Sequence, residues 1–149
     1  MKVFETINEK NNKYDDFVFM DIETTGLTHQ NPIVSITVSD GVKIVTTVIE
    51  DLKDEQELIS DFIEKYNGCN FITYNGESFD LPFIRQRAKY YNMDFEYEST
   101  DLYKYFNRYR HLFPMKSLRQ MEVEKYFNLD RGEDISGAEV VELFRNYLT

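Results

Sequence analysis

The stretch Phe17-Val18-Phe19-Met20-Asp21-Ile22-Glu23-Thr24-Thr25-Gly26-Leu27 carries the most information in this 149-residue chain. Phe17 to Met20 is a short apolar run, which predicts a buried strand over 16–22. Side chains alternate across a strand, so Asp21 and Glu23 share one face, about 7 Å apart. Two like charges on one face, flanked by apolar residues, repel each other. Hard divalent cations prefer such oxygen ligands. Thr24-Thr25-Gly26 then turns the chain and leaves the acids at the mouth of the strand. The same residues also fit an ordinary strand end with solvated acids.

Outward from this strand, 32–39 and 42–49 are rich in β-branched residues and flank Asp40-Gly41. That dipeptide is a hairpin signal because both residues tolerate positive φ, so three strands are expected as an antiparallel meander. Leu58, Phe62 and Ile63 at helical spacing predict a helix over 54–66, stopped by Gly68. A fourth strand follows over 70–74, then a helix over 79–91 with Pro82 in its first turn. A fifth strand is expected over 95–99, and helices over 101–110, 117–126 (Ser117 as N-cap) and 136–148. Three meandering strands followed by strand–helix crossovers make one α/β domain with a mixed sheet.

The second informative stretch is Phe71-Ile72-Thr73-Tyr74-Asn75-Gly76-Glu77-Ser78-Phe79-Asp80-Leu81-Pro82-Phe83. A buried strand runs through an Asn-Gly turn into a helix, and Asp80 opens that helix, where negative charge is favoured. Ser78 or Asp80 also fits a simple capping role. Ligands in open α/β sheets collect at strand ends, and here a second acid leaves the end of a neighbouring strand.

Composition narrows the class. Charged residues are 30% and hydrophobic residues 42%, as in an ordinary globular protein. No apolar run approaches the roughly 18 residues of a membrane helix, and the N-terminus lacks the apolar stretch of a signal peptide. One cysteine, Cys69, excludes an intrachain disulfide and a Cys-rich zinc site, and fits a reducing cytoplasm. The net charge of −10 is unevenly spread: residues 85–119 hold 8 Lys and Arg against 4 acids, and residues 1–84 hold 6 against 16. The basic segment carries Arg85, Arg87, Lys89, Lys104, Arg108, Arg110, Lys116 and Arg119 among tyrosines. That mixture can track a phosphate backbone and stack on bases, or can be solvated helix faces over an aromatic core. Asp101 reads as a helix cap, and His29 and His111 as solvated loop residues.

Asp-Ile-Glu-Thr-Thr-Gly-Leu, with Tyr-Asn-Gly-x-x-Phe-Asp-x-Pro-Phe some fifty residues later, resembles the DnaQ-like (DEDD) 3′–5′ exonucleases of the ribonuclease H-like superfamily. Asp101-Leu102, Lys116-Ser117-Leu118 and 131–137 follow in the order of the YprB-like branch, so the resemblance covers about residues 16–148. It implies a five-stranded ribonuclease H-like sheet of order 3-2-1-4-5 with helices on both faces. It implies that Asp21, Glu23 and Asp80 are catalytic ligands of two Mg²⁺ or Mn²⁺ ions. Thr24, Gly26, Leu27, Asn75 and Phe79 fall at substrate-binding positions, with Leu27 and Phe79 lining the terminal nucleotide. The implied substrate is a single-stranded 3′ end of DNA or RNA; the cytoplasm and the absence of a membrane partner are expected from composition alone.

The chain departs from the pattern in one respect. A fourth acid is expected after the equivalent of Gly137, preceded by a Tyr or His, and the only later acids are Glu139 and Glu142. Truncation before that motif is the preferred explanation, because the other motifs are intact. Substitution by Asp101, Glu133 or Asp134 is a second. A third is a degenerate nucleic-acid-binding module, whose binding would weaken on loss of Arg108 and Arg110.

Overall fold

Branched side chains fit a pleated surface, and the two β-branched runs on either side of Asp40-Gly41 form adjacent interior strands of a six-stranded sheet in the computed structural model. The structure describes residues 1–9, 11–130, 139, 142–144 and 146. The elements in chain order are β1 (Lys2–Ile7), β2 (Val18–Thr24), β3 (Ile33–Ser39), β4 (Lys43–Val48), α1 (Glu55–Tyr66), β5 (Asn70–Thr73), α2 (Asp80–Tyr90), β6 (Glu98–Asp101), α3 (Leu102–Arg108) and α4 (Gln120–Tyr126). The sheet order is β1-β4-β3-β2-β5-β6. β1, β4, β3 and β2 pair antiparallel, and β5 and β6 continue the sheet in parallel.

The five expected strands take the expected order, with β1 added at the outer edge. That edge strand is exposed along its whole length, so no buried face gave it a pattern to read. Most boundaries shift by one to three residues, and three of the shifts have a local cause or consequence. β2 runs to Thr24 and so includes Glu23. β6 starts at Glu98 rather than 95, because Phe95 is buried and packs on Phe62 and Phe71 with ring centroids 5.5 and 5.9 Å away. α4 starts at Gln120, after Arg119, and Ser117 instead accepts the Arg119 N–H at 3.3 Å. In the hairpin only Gly41 has positive φ, at 98°. The Asp40 carboxylate accepts the Val42 and Lys43 N–H groups at 3.0 and 2.7 Å, so a side chain holds the turn that two positive φ values were expected to make. Of the expected helix over 136–148, residues 139, 142–144 and 146 are described and helical; the rest lies outside the described residues.

One face of the sheet carries the core. Met20 and Ile22 of β2, Val34, Ile36 and Val38 of β3 and Phe71 of β5 meet Leu58, Ile59 and Phe62 of α1 and Leu81, Ile84 and Ala88 of α2. Burying each of these side chains larger than alanine contributes about 1.5–3 kcal/mol. Glu55, the first residue of α1, is fully buried and locks the layers together. Its carboxylate accepts the Ile33 N–H at 2.8 Å, the Arg87 Nε–H at 2.8 Å and the Tyr91 hydroxyl at 2.6 Å. Burial, and then the bond to Glu55, push the Tyr91 phenol up to about 12. Among the described residues no helix is long and apolar enough to cross a membrane.

Candidate active site

β2 buries Met20, Ile22 and Thr24 on the core side and turns Asp21 and Glu23 to the opposite face. Asp21 pairs across the sheet with Thr37 and Glu23 with Ser35, so the acids stand over a hydroxyl-lined surface. A register shift between Glu23 and Thr24 ends the regular ladder there. The turn that follows is held by its own groups. The Thr24 hydroxyl donates to the Gly26 carbonyl at 2.7 Å, and the Thr25 N–H donates to the Pro32 carbonyl at 3.0 Å. A Cβ on Gly26 would lie 2.7 Å from Asn31 Oδ1, so a side chain there must displace Asn31. Thr24 and Gly26, expected at substrate, build the turn in the structure. Leu27 projects from it, 86% exposed.

Asp80 reaches the same strand from the other side. β5 lies beside β2, and the chain leaves β5 at Thr73 through Asn75, whose φ is 64°. A Cβ on Gly76 would stand 2.5 Å from the Thr73 Cβ, so the loop folds tightly over the strand end. Asp101, at the end of β6, clamps that loop. Its carboxylate accepts the Asn75 N–H at 2.8 Å, the Glu77 N–H at 3.3 Å and, as the cap of α3, the Tyr103 N–H at 2.9 Å. The expected capping role is present, and the loop clamp is additional. With both oxygens engaged by backbone, Asp101 is occupied as a structural anchor. Glu133 and Asp134 lie outside the described residues.

Held this way, α2 begins at Asp80 with Phe79 before it, and neither Ser78 nor Asp80 supplies a side-chain cap. Instead Asp80 Oδ1 accepts the N–H of Ile22 at 3.1 Å, the residue between Asp21 and Glu23. Asp80 is buried, and its carboxyl is pushed up to about 7. Burial is the largest cause and the Asp21 charge the next; the Ile22 bond favours the anion and is outweighed. Glu23 is also raised, first by burial and then by Asp21. Three carboxylates therefore share one electrostatic neighbourhood, and their oxygen donors have the chemistry of a hard-cation site. Among the described residues, no three Asp, Glu, His or Cys side chains converge on one ion position as they stand.

Phe79 rests against Phe83 with ring centroids 5.2 Å apart, and Asn75 is exposed at the loop. Beyond Asp21 a hollow of about 370 Å³ extends past Tyr74 and Gln120. Those two residues also line a second hollow of about 520 Å³, rimmed by Asn75, Tyr103, Arg110 and Arg119.

The basic segment is only partly available to such a groove. Arg87 is buried in its ion pair with Glu55, so it is a structural cation rather than a phosphate contact. It falls on the buried face of α2 with Leu81, Ile84 and Ala88, a helical spacing that identifies it in the sequence. Arg85 donates to the Phe95 carbonyl and lies 4.2 Å from the Tyr97 ring centroid, and Lys104 pairs with Glu77. His29 is exposed, its ring edge-on to Phe83 at 5.1 Å.

The family model described as the RNase_H superfamily matches residues 18–149. A DNA polymerase of Methanocaldococcus jannaschii is 47% identical over 47 residues, which are 31% of this chain and 3% of the polymerase. The PolC-type DNA polymerase III of Mycoplasma genitalium is 28% identical over 115 residues, covering 58% of this chain and 8% of that protein. The chain spans less than a tenth of the length of these curated relatives. Among solved structures, the family B DNA polymerase of the archaeon Pyrobaculum calidifontis superposes with a TM-score of 0.65 at 21% identity, over 89% of this chain and 22% of that one. E. coli Exonuclease I in complex with a dT13 oligonucleotide gives 0.59 at 13% identity, over 89% and 40%. At these identities the two likenesses are of fold.

Proposed function

The chain belongs to the RNase H superfamily, and on that premise we propose that it is a metal-dependent 3′–5′ exonuclease of single-stranded DNA or RNA, of the DnaQ-like kind. The observation that carries this reading is the Ile22 N–H to Asp80 bond, which seats the third carboxylate on the backbone between the first two. The Exonuclease I neighbour holds a dT13 oligonucleotide, which supports a nucleic-acid substrate. The YprB-like branch and the cytoplasm belong to the proposal on sequence grounds.

In this reading Asp21, Glu23 and Asp80 would hold two Mg²⁺ or Mn²⁺ ions. Bound there, the ions would supply positive charge to the attacking water, the leaving 3′ oxygen and the transition state. The raised carboxyl of Asp80 would give up its proton to positive charge held there, so binding would be coupled to proton release. Exposed Leu27 and the Phe79 ring bracket the terminal nucleotide, and Asn75 fixes its orientation. Tyr103, Arg110 and Arg119 take the nucleotides behind it along the adjoining hollow. Contacts to so few phosphates suit a chain of net charge −10 to a short single strand.

A second reading, a nucleic-acid-binding module without turnover, is favoured by one observation: no three acids converge among the described residues. Calorimetric titration of Mn²⁺ with a nucleoside 5′-monophosphate present, on the parent chain and on Asp21→Ala, tests the metal. Digestion of 5′-labelled oligonucleotides tests the chemistry. The proposal expects heat that Asp21→Ala abolishes, and a ladder shortening from the 3′ end that Asp21→Ala and Asp80→Ala both lose. Oligonucleotide binding without turnover in the parent establishes the second reading, and equal turnover in both variants refutes the assignment of the acids.

A further inference from the structure

β1 is the outer strand of the sheet, and among the described residues its one partner strand is β4. The Asn8 N–H donates to the Val42 carbonyl at 2.8 Å, which extends the β1–β4 register by one residue. Hydrogen-bonded and non-hydrogen-bonded pairs alternate along an antiparallel ladder. Lys2, Phe4 and Thr6 therefore aim their N–H and C=O groups at β4, and Val3, Glu5 and Ile7 aim theirs outward. The strand presenting these outward groups also exposes its apolar side chains: Val3 is 59% exposed, Phe4 56% and Ile7 64%. An edge of this kind is a template for another strand.

We propose that β1 is an interface between two copies of this chain, which pair edge to edge about a two-fold axis and join two sheets into one. A second copy fits because the strand is complementary to itself. Outward groups must meet outward groups, so a symmetric pairing centres on Val3, Phe4, Glu5 or Thr6. Centring on Glu5 sets that acid opposite its copy, like charge on like. Centring on Val3 or Thr6 leaves fewer facing residues. Centring on Phe4 sets Val3 opposite Glu5 of the copy and Lys2 opposite Thr6 of the copy, with no like charges opposed. The two Phe4 rings then meet as a non-hydrogen-bonded pair, the closer kind, and about six backbone hydrogen bonds form.

The face that carries Phe4 adds apolar surface. A hollow of about 320 Å³ lies between Phe4, Val48, Leu143 and Phe144, and Leu143 is 59% exposed. Two such hollows flank the axis in the pair. Phe4 also lies in one cross-strand row with Thr46, Thr37 and Asp21. The pairing axis is perpendicular to the sheet, so both Asp21 rows open to the same side. They stand roughly 34 Å apart, seven strand spacings, and the pairing covers neither.

Sedimentation velocity on the full chain across a concentration series tests the proposal. The expected result is a mass that rises toward that of a dimer. Val3→Pro and Glu5→Pro each delete an outward N–H and leave the β4-facing amides in place. Each is expected to weaken dimerisation by more than about tenfold with an unchanged circular dichroism spectrum. Val3→Cys, Phe4→Cys and Glu5→Cys, each in a Cys69→Ser background, read the register under oxidation, and the linked dimer is expected from Phe4→Cys. A chain that stays monomeric, a dimer that survives both proline variants, or linkage through position 3 or 5 in preference to 4 would overturn it.

Discussion

Asp80→Asn is expected to stabilise the protein in chelator at pH 8 and to do nothing near pH 4. The folded carboxyl titrates at about 7, against an ordinary 3.8. The folded state thus keeps a proton that the unfolded chain loses between those values. Stability is greatest below the unfolded value and is lost as pH rises through the folded one. A shift of about three units at 1.36 kcal/mol each puts the full cost of ionised Asp80 at about 4 kcal/mol above pH 7. An amide is isosteric, carries no charge and keeps an oxygen for the Ile22 N–H. At roughly 2–4 °C per kcal/mol for a chain of this size, the variant melts up to about 15 °C above the parent at pH 8. The assay is thermal unfolding of both proteins from pH 4 to 8. With Mn²⁺ the ranking reverses, because the parent gains a ligand that the variant has lost. A variant less stable than the parent at pH 8 in chelator, or a gap that ignores pH, would refute the account of Asp80.

Arg87→Met leaves the buried Glu55 carboxylate without its cation and is expected to cost about 3–5 kcal/mol in urea unfolding. It should leave the salt dependence of oligonucleotide affinity unchanged. Arg110→Ala with Arg119→Ala is expected to do the opposite, flattening the slope of log affinity against log salt by about 1.4 at constant stability. Gly76→Ala drives a methyl into the Thr73 Cβ, with an expected loss of about 1–3 kcal/mol and of turnover, since the loop that delivers Asp80 must move. Leu27→Ala removes an exposed side chain, so KM for oligonucleotide should rise while the melting temperature stays put.

What could be read in the sequence follows from the range of the forces involved. The two-residue period of a strand is local, so Met20 and Ile22 inward with Asp21 and Glu23 outward needed no structure. The meander of the first three expected strands followed from short connections, and the order of all five came from the family resemblance. β1 was missed because its partner, β4, lies some forty residues away and neither face of the strand is buried. Arg87 was counted with the exposed cations because its buried partner, Glu55, belongs to another helix, although the spacing of α2 already placed it inward. Asp101 announced a cap through its position before a helix. Its grip on Asn75 and Glu77 depends on β6 lying parallel beside β5, which no local pattern encodes.

That grip has a consequence for motion. The amides of Asn75, Glu77 and Tyr103 end on one carboxylate, so the loop and the first turn of α3 cannot open independently. When Asp101 lets go, three protons become exchangeable together, and the segment that carries Asp80 to β2 is loosened in the same event. The first turn of α3 and the entry to α2 should therefore behave as one small cooperative unit in hydrogen exchange, with a shared opening free energy below that of the Phe62–Phe71–Phe95 core. Fluctuation of the acid mouth is then governed from a strand two places away in the sheet, by a residue whose carboxylate grips the loop and the start of α3.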